Sequence, residues 1–361
     1  MRFAAYADFG IIVKESLWCI YTVTLSPDNQ QSRGVKMTRK GKYAAIAAGI
    51  ASAAVLASGA SEAITELLVR EAMDRSAPVP IHKQPKIRGR NRTKRSQPNE
   101  VDATLSDRAQ MEHITITAWD GTLLSGCLYH CDAPQRVILA MHGWRSTWER
   151  DFGGIMDFLH ESGSCVLFAE QRGMGQSGGE YIGFGMLERF DCLDWLNWLA
   201  ERMGANLPVY LMGVSMGATT VMLAAGLKLP ERVRGIIADC GFTSADEIWK
   251  HVCKTRLHIP YAIRAQRIAA KCRRRIGYDP IDCSTEEVLR QSHIPILLFH
   301  GTEDQLVPCA MTCRNFAAAA GPKRMITFSG AGHGRSHQTD PQKYETALSD
   351  FWSACEIQID I

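Results

Sequence analysis

Gly213-Val214-Ser215-Met216-Gly217 follows the apolar run Pro208-Val209-Tyr210-Leu211-Met212 and opens an Ala-rich helical stretch. A G-x-S-x-G pentapeptide between a strand and a helix is the pattern of a nucleophile elbow. A serine hydroxyl is a weak nucleophile, and it becomes useful when a tight turn presents it to a base. Side chains in place of the two glycines would collide with the neighbouring strand and helix. The pentapeptide alone arises readily by chance, so its flanking elements carry the weight. They point to an open α/β sheet with the serine at the C-terminal edge of a strand, where such sheets collect their ligands.

An elbow of this kind is completed by an acid and then a histidine further along the chain. Pro295-Ile296-Leu297-Leu298-Phe299 reads as a buried strand and leads into His300-Gly301-Thr302-Glu303-Asp304. Arg324-Met325-Ile326-Thr327-Phe328 reads as another and leads into Ser329-Gly330-Ala331-Gly332-His333-Gly334. Ser215, Asp304 and His333 therefore each stand just past a strand end, in the expected order. In that arrangement His333 accepts the serine proton, and Asp304 fixes the imidazole tautomer and stabilises the imidazolium.

The oxyanion hole provides a fourth requirement. Val137-Ile138-Leu139-Ala140-Met141 is a strand that ends in His142-Gly143-Trp144. One N–H comes from the residue after the nucleophile, Met216, and the second from the loop after the third strand. Trp144 is the expected second donor, with Gly143 next to it. His142 reads as a structural residue that holds this loop in shape. In His333-Gly334-Arg335-Ser336-His337 the H-E-x-x-H glutamate is missing and the glycines disfavour a helix, so His337 reads as a solvated loop residue.

These motifs resemble the α/β-hydrolase superfamily, in its serine-aminopeptidase-like branch of uncharacterised bacterial hydrolases. Glu170-Gln171-Arg172-Gly173-Met174-Gly175-Gln176-Ser177-Gly178-Gly179 is similar to that branch's D-x-R-G-x-G-x-S-x-G loop, with Glu170 where Asp is usual. Ala238-Asp239-Cys240-Gly241-Phe242 and His300-Gly301-x-x-Asp304-x-x-Val307-Pro308 match it as well. The resemblance spans roughly residues 110–355. It implies a serine hydrolase that acts through an acyl-enzyme, without a cofactor or metal, on a small-molecule acyl substrate. Ester cleavage is the leading reading. Small-peptide hydrolysis, thioester cleavage and a membrane-tethered scaffold without relevant catalysis are the alternatives.

The element order agrees. Ile114 to Thr117 alternates with polar neighbours, and Asp120-Gly121 is a hairpin signal before Leu123 to Tyr129. Strands at 137–141, 165–169, 208–212, 233–238, 295–299 and 324–328 alternate with helical patterns. This predicts a mostly parallel sheet with helices on both faces and one antiparallel edge. Residues 244–292 interrupt the alternation and read as a small helical cap. The cap segment from Trp249 to Ile276 is basic, with Lys271, Arg273, Arg274 and Arg275 among its charges. Those charges are expected either to solvate the outer face or to turn inward towards anionic substrates.

The hydrolase domain is placed at residues 106–361. Before it, residues 1–36 read as an upstream extension, with Met37 as the natural start. Residues 37–75 hold a basic lead (Arg39, Lys40, Lys42), an uncharged apolar stretch at 43–60 and a short amphipathic helix with Ile64, Leu67, Leu68 and Ala72 on one face. These are the parts of a cleaved signal or an uncleaved anchor. The charge bias puts the hydrolase outside a bacterial membrane, with a cytoplasmic chain as the alternative. All 12 cysteines but Cys19 follow Met37, an odd remainder that favours free structural thiols over a disulfide framework.

Residues 76–105 form a basic linker, and from Pro78 to Pro98 it carries Lys83, Lys86, Arg88, Arg90, Arg92, Lys94 and Arg95 with no acid. The net charge of +3 is too small to imply a polyanion partner for the whole chain. No aromatic residues are interleaved for stacking, so nucleic acid is not the expected partner. The linker suits an anionic membrane or cell-wall surface, or is simply solvated. Deleting residues 80–98 should leave kcat on soluble esters intact and weaken binding to anionic vesicles in a salt-dependent way. Vesicle binding that survives both the deletion and high salt would assign attachment to residues 43–60.

Overall fold

Four strands are dominated by apolar residues because both of their faces are covered. These are β3 (Arg136–Met141), β4 (Ser164–Ala169), β5 (Val209–Val214) and β7 (Ile296–Gly301), each buried from end to end. With β1 (Met111–Thr117), β2 (Leu123–Tyr129), β6 (Val233–Asp239) and β8 (Lys323–Phe328) they form an eight-stranded sheet in the order β1-β2-β4-β3-β5-β6-β7-β8. β1 and β2 pair antiparallel, β2 pairs antiparallel with β4, and the remaining neighbours are parallel. The α/β class, the strand positions and the antiparallel edge follow the sequence expectation. The computed structural model describes residues 59–76, 111–204 and 206–356, which from Ala60 onward belong to one compact unit.

Successive side chains on a strand point to opposite faces, so one apolar run feeds two cores. Leu139, Leu211 and Ile236 join Trp195 and Leu199 of the helix Glu188–Met203 on one face. Ile138, Tyr210 and Ile237 join Phe152, Leu348 and Trp352 on the other. Trp352 belongs to the C-terminal helix Pro341–Glu356. The helices therefore lie on both faces, and the C-terminal strand ends are left to loops.

Between β6 and β7 the described chain is helical: Ala245–Val252, a π-helical turn Cys253–Leu257, Ala265–Ile276 and Thr285–Gln291. Ile248, Trp249, Ile268 and Cys272 from this insertion cluster with Phe184, Phe242 and Met216, which puts it over the nucleophile end of the sheet.

Residues 59–73 form a helix, α1. Its buried side chains are Thr65, Val69 and Met73, four residues apart, flanked by the partly buried Leu68 and Ala72. The apolar face is thus rotated from the expected one, and Leu67 is exposed. Tertiary packing rather than hydrophobicity alone selects the stripe. The stretch at 43–58, the extension 1–36 and the linker lie outside the described residues, among which no helix is long and apolar enough to cross a membrane.

Two of the insertion's bases depart from both expectations, while Arg273 and Arg274 stay exposed as the solvation reading expects. Lys271 pairs with Glu62 at 2.6 Å and Glu66 at 2.7 Å, and Arg275 pairs with Glu66 at 2.6 Å and Asp74 at 2.8 Å. They face α1, neither open solvent nor a substrate. Arg273 pairs with Asp279 at 2.5 Å, and Arg274 is exposed. Hydrogen bonds from Lys271 and then Arg275 lower the Glu66 pKa from an ordinary 4.5 to about 2. A folded-state pKa below the unfolded one stabilises the fold at pH above about 4.5, and this contribution is lost as pH falls through about 2. Arg275→Ala should destabilise the fold by about 1–3 kcal/mol, between the ranges for exposed and buried pairs. Arg274→Ala should stay within about 0.5 kcal/mol. Urea unfolding of the two variants makes the comparison, and equal effects would mean that α1 is not held by these pairs.

Candidate active site

Ser215 occupies the turn between β5 and the helix Met216–Ala224, with φ of 56° and ψ of −116°. This is a strained conformation for a non-glycine residue, costing about 1–3 kcal/mol. The surroundings enforce it. Ser215 N–H donates to the Asp239 carbonyl at 2.8 Å, which ties the elbow to the end of β6. A Cβ on Gly217 would fall on the Met141 carbonyl, and one on Gly213 would fall on the Gly217 backbone. The glycines are required by close approach, as the pentapeptide suggested.

The structure brings the three expected side chains together. His333 Nε2 lies 2.8 Å from Ser215 Oγ, and His333 Nδ1 lies 2.6 Å from Asp304 Oδ2. Ser215 and Asp304 are each 9% exposed, so the hydroxyl and its distal acid are sheltered while the imidazole bridges them. Asp304 Oδ1 also accepts the N–H groups of Leu306 at 2.8 Å and Val307 at 2.9 Å. Burial alone would raise the Asp304 pKa. Hydrogen bonds from His300 and His333 and from the Val307 N–H outweigh it and hold the carboxyl well below its ordinary range. Glu303 is exposed and takes no part.

His300 is a functional neighbour that sequence reasoning passed over, although it stands inside the His300-Gly301-x-x-Asp304 motif. It is fully buried, with Nδ1 2.7 Å from Thr312 Oγ1, Nε2 2.9 Å from the Val307 carbonyl and Nε2 3.3 Å from Asp304 Oδ2. Its ring fixes the loop that carries the acid.

The loop after β3 adjoins the elbow, since a Cβ on Gly143 would stand 3.3 Å from Ser215 Cβ. Gly143 N–H donates to Asp151 Oδ2 at 2.7 Å, so it is committed elsewhere and does not serve as the oxyanion donor. Trp144 follows it in the same loop. Met216 is the first residue of its helix, where backbone N–H groups have no intrahelical acceptor. His142 is structural, as expected. It is 1% exposed, its Nδ1 bonds the Gly143 carbonyl at 2.8 Å, and its Nε2 accepts the Gln171 N–H at 3.1 Å. Burial lowers its pKa, so the ring is neutral and locks the two loops to each other.

His337 departs from the solvated-loop reading. It lies in a one-turn helix, Ser336–Thr339, bonded to Glu345 Oε1 at 2.9 Å and edge-on to the Tyr344 ring. The glycines that argued against a helix end at Gly334, just before it. The eleven described cysteines are free. One group, Cys240 with Asp304 and His333, has ligand atoms within 4.8 Å of one another. Burial pushes the Cys240 thiol well above its ordinary pKa, and the other two are hydrogen-bonded to each other, so a metal would have to break the chain to Ser215.

An elbow serine, a histidine in contact with it and an eight-stranded mostly parallel sheet define a serine hydrolase of the α/β-hydrolase superfamily. Within that superfamily, the model of the prolyl oligopeptidase family matches residues 150–356, more than half of the chain, and the chain belongs to that family. Among its relatives, it is 26% identical over 220 residues to YqkD, an uncharacterised protein of Bacillus subtilis, covering 61% of this chain and 72% of that one. It is 25% identical over 230 residues to YfhR, an uncharacterised protein of Escherichia coli K12, covering 62% of this chain and 73% of that one. The fold resembles the esterase Pf2001 of Pyrococcus furiosus, with a TM-score of 0.56 at 21% identity over 70% of this chain and 94% of that one. It also resembles Est1E of Butyrivibrio proteoclasticus, solved with ferulic acid, with a TM-score of 0.51 at 18% identity over 68% of this chain and 99% of that one.

Asp304→Asn removes the charge that stabilises the imidazolium and should lower kcat by about three to four orders of magnitude. Glu303→Gln should change it less than twofold. Steady-state kinetics on the two variants test the assignment, and an essential Glu303 would overturn it.

Proposed function

We propose that the protein hydrolyses carboxylic esters of apolar acyl groups through an acyl-enzyme. The observation that carries this reading is the unbroken hydrogen-bonded chain from Asp304 through His333 to Ser215 Oγ. Ser215 Oγ attacks the carbonyl carbon as His333 Nε2 takes its proton, and the imidazolium is stabilised by Asp304. The oxyanion is held by the N–H groups of Met216 and Trp144, each preorganised donor contributing about 3–4 kcal/mol. His333 then returns the proton to the leaving alkoxide. Water repeats the sequence on the acyl-enzyme with His333 as base.

The acyl preference rests on the aromatic cluster packed around Met216. Phe184 lies 5.0 Å edge-on from Trp249, 6.2 Å from Phe242 and 6.3 Å from Trp144, measured between ring centroids. A wall of this kind favours apolar and aromatic acyl groups over charged ones. That Pf2001 is named an esterase and that Est1E was solved with ferulic acid agree with this choice.

A peptidase reading is the alternative, favoured by membership of the prolyl oligopeptidase family. The same constellation cleaves an amide when the leaving amine is held for protonation by His333. A panel of p-nitrophenyl esters against aminoacyl p-nitroanilides separates the two. We expect kcat/KM for the best ester to exceed that for the best amide by at least a hundredfold, and Ser215→Ala to abolish fluorophosphonate labelling. A reversed preference would make the protein a peptidase. A wild-type chain that resists labelling would remove the serine-hydrolase chemistry altogether.

A further inference from the structure

The last four carbonyls of a helix have no intrahelical partner and must be satisfied from outside. The last i→i−4 bond of α1 runs from Asp74 N–H to the Arg70 carbonyl at 2.9 Å, so these belong to Glu71, Ala72, Met73 and Asp74. The Met73 carbonyl accepts the Ile182 N–H at 2.7 Å. The other three are taken by the loop after β3. The Ala72 carbonyl accepts Trp144 Nε1–H at 2.8 Å, and the Glu71 carbonyl accepts an Arg145 guanidinium N–H at 3.1 Å. The same nitrogen of Arg145 reaches the Asp74 carbonyl at 2.7 Å. The C-terminal end of a helix carries partial negative charge, which suits a guanidinium.

Arg145 has a φ of 47°, in the left-handed region that a long side chain avoids at a cost of about 1–2 kcal/mol. Its own N–H donates to Met174 Sδ at 3.1 Å. The loop is thus gripped on two sides. Asp151 holds Gly143 N–H and Ser146 Oγ, each at 2.7 Å, and the end of α1 holds Trp144 and Arg145. The second grip is the one that engages the Arg145 side chain, next to the strained backbone at residue 145.

We propose that residues 59–76 are a working part of the active site and that Arg145 is the positioning residue of the oxyanion loop, clamping it to the backbone end of α1. The inference rests on the reading of Trp144 as an oxyanion donor. Because the acceptors are main-chain carbonyls, the clamp depends on whether α1 is docked and not on which side chains it carries at 71 and 74. The oxyanion hole is therefore complete only when this segment is seated on the hydrolase unit.

The test uses the full chain with Arg145→Ala, Arg145→Lys and Trp144→Phe, the last keeping the backbone N–H while losing the indole donor. Arg274→Ala, at an exposed position of the insertion, is the control expected to react like wild type. Fluorophosphonate labelling rates read the hole directly, since a phosphoryl oxygen occupies it. Arg145→Ala should label ten- to hundredfold more slowly and lose kcat on p-nitrophenyl butyrate to the same extent, with KM and the pH midpoint unmoved. Arg145→Lys should recover part of the loss. Should Arg145→Ala fail to fold, Trp144→Phe decides, with a loss of fivefold or more expected. Labelling at the wild-type rate in these variants overturns the proposal, as does a loss confined to KM, which would make Arg145 a substrate contact. Absence of labelling in the wild type itself refutes the serine-hydrolase reading, a result the variants cannot imitate.

Discussion

The contact between Gly217 and the Met141 carbonyl is the constraint from which the site follows. It lets the helix after β5 pass directly against the end of β3, closer than any side chain would allow. Two neighbouring parallel strands are thereby made to end at one point, β5 delivering Ser215 and β3 delivering the loop with Trp144. The same crowding forces the positive φ of Ser215, so the nucleophile projects out of the sheet instead of joining the helix. Strain of this order persists only where the surroundings over-determine it. Here they do, through the Asp239 carbonyl behind the serine and the Gln171–His142 lock beside it.

Burying the acid of the triad creates the opposite problem, because an isolated carboxylate in an apolar site prefers to be neutral. Asp304 is kept ionised by distributing four hydrogen bonds over its two oxygens, with His300 and His333 on one and the Leu306 and Val307 N–H groups on the other. The two backbone donors orient the carboxylate as well as charging it. That is why the acid follows a strand by a short turn, and why the neighbouring Glu303, on the outer side of the same turn, cannot replace it.

The sheet and the triad were legible because they depend on local patterns. An unbroken five-residue apolar run such as Val137 to Met141, bounded by turn residues and too short for a helix, reads as a strand covered on both faces, and the residue just past its end is fixed by chain connectivity. Ser215, Asp304 and His333 all lie at such points. What escaped was set by distance in the sequence. Lys271 and Glu62 look like unrelated surface charges until the fold places them 2.6 Å apart. Periodicity predicts Leu67 on the buried face of its helix, but periodicity gives a stripe and not the neighbour that covers it. Val69 and Met73 won because the insertion and the loop at Ile182 meet that side. His337 stands three residues past Gly334, where the glycines no longer oppose a helical turn.

Neither α1 nor the loop it caps is self-sufficient. A single helix of this length is marginal in water, and its gain comes from docking three buried side chains and the pairs to Lys271 and Arg275. The loop, for its part, holds Arg145 in a backbone conformation that costs energy unless its guanidinium finds acceptors. Each element supplies what the other uses: main-chain carbonyls at the end of α1 and the side-chain donors of Trp144 and Arg145. Their association is therefore cooperative, and it joins the segment immediately following the apolar stretch at 43–60 to the backbone beside the nucleophile. The charges of the insertion belong to this arrangement. Lys271 and Arg275 pair with Glu62, Glu66 and Asp74, and so tie α1 along its length to the insertion.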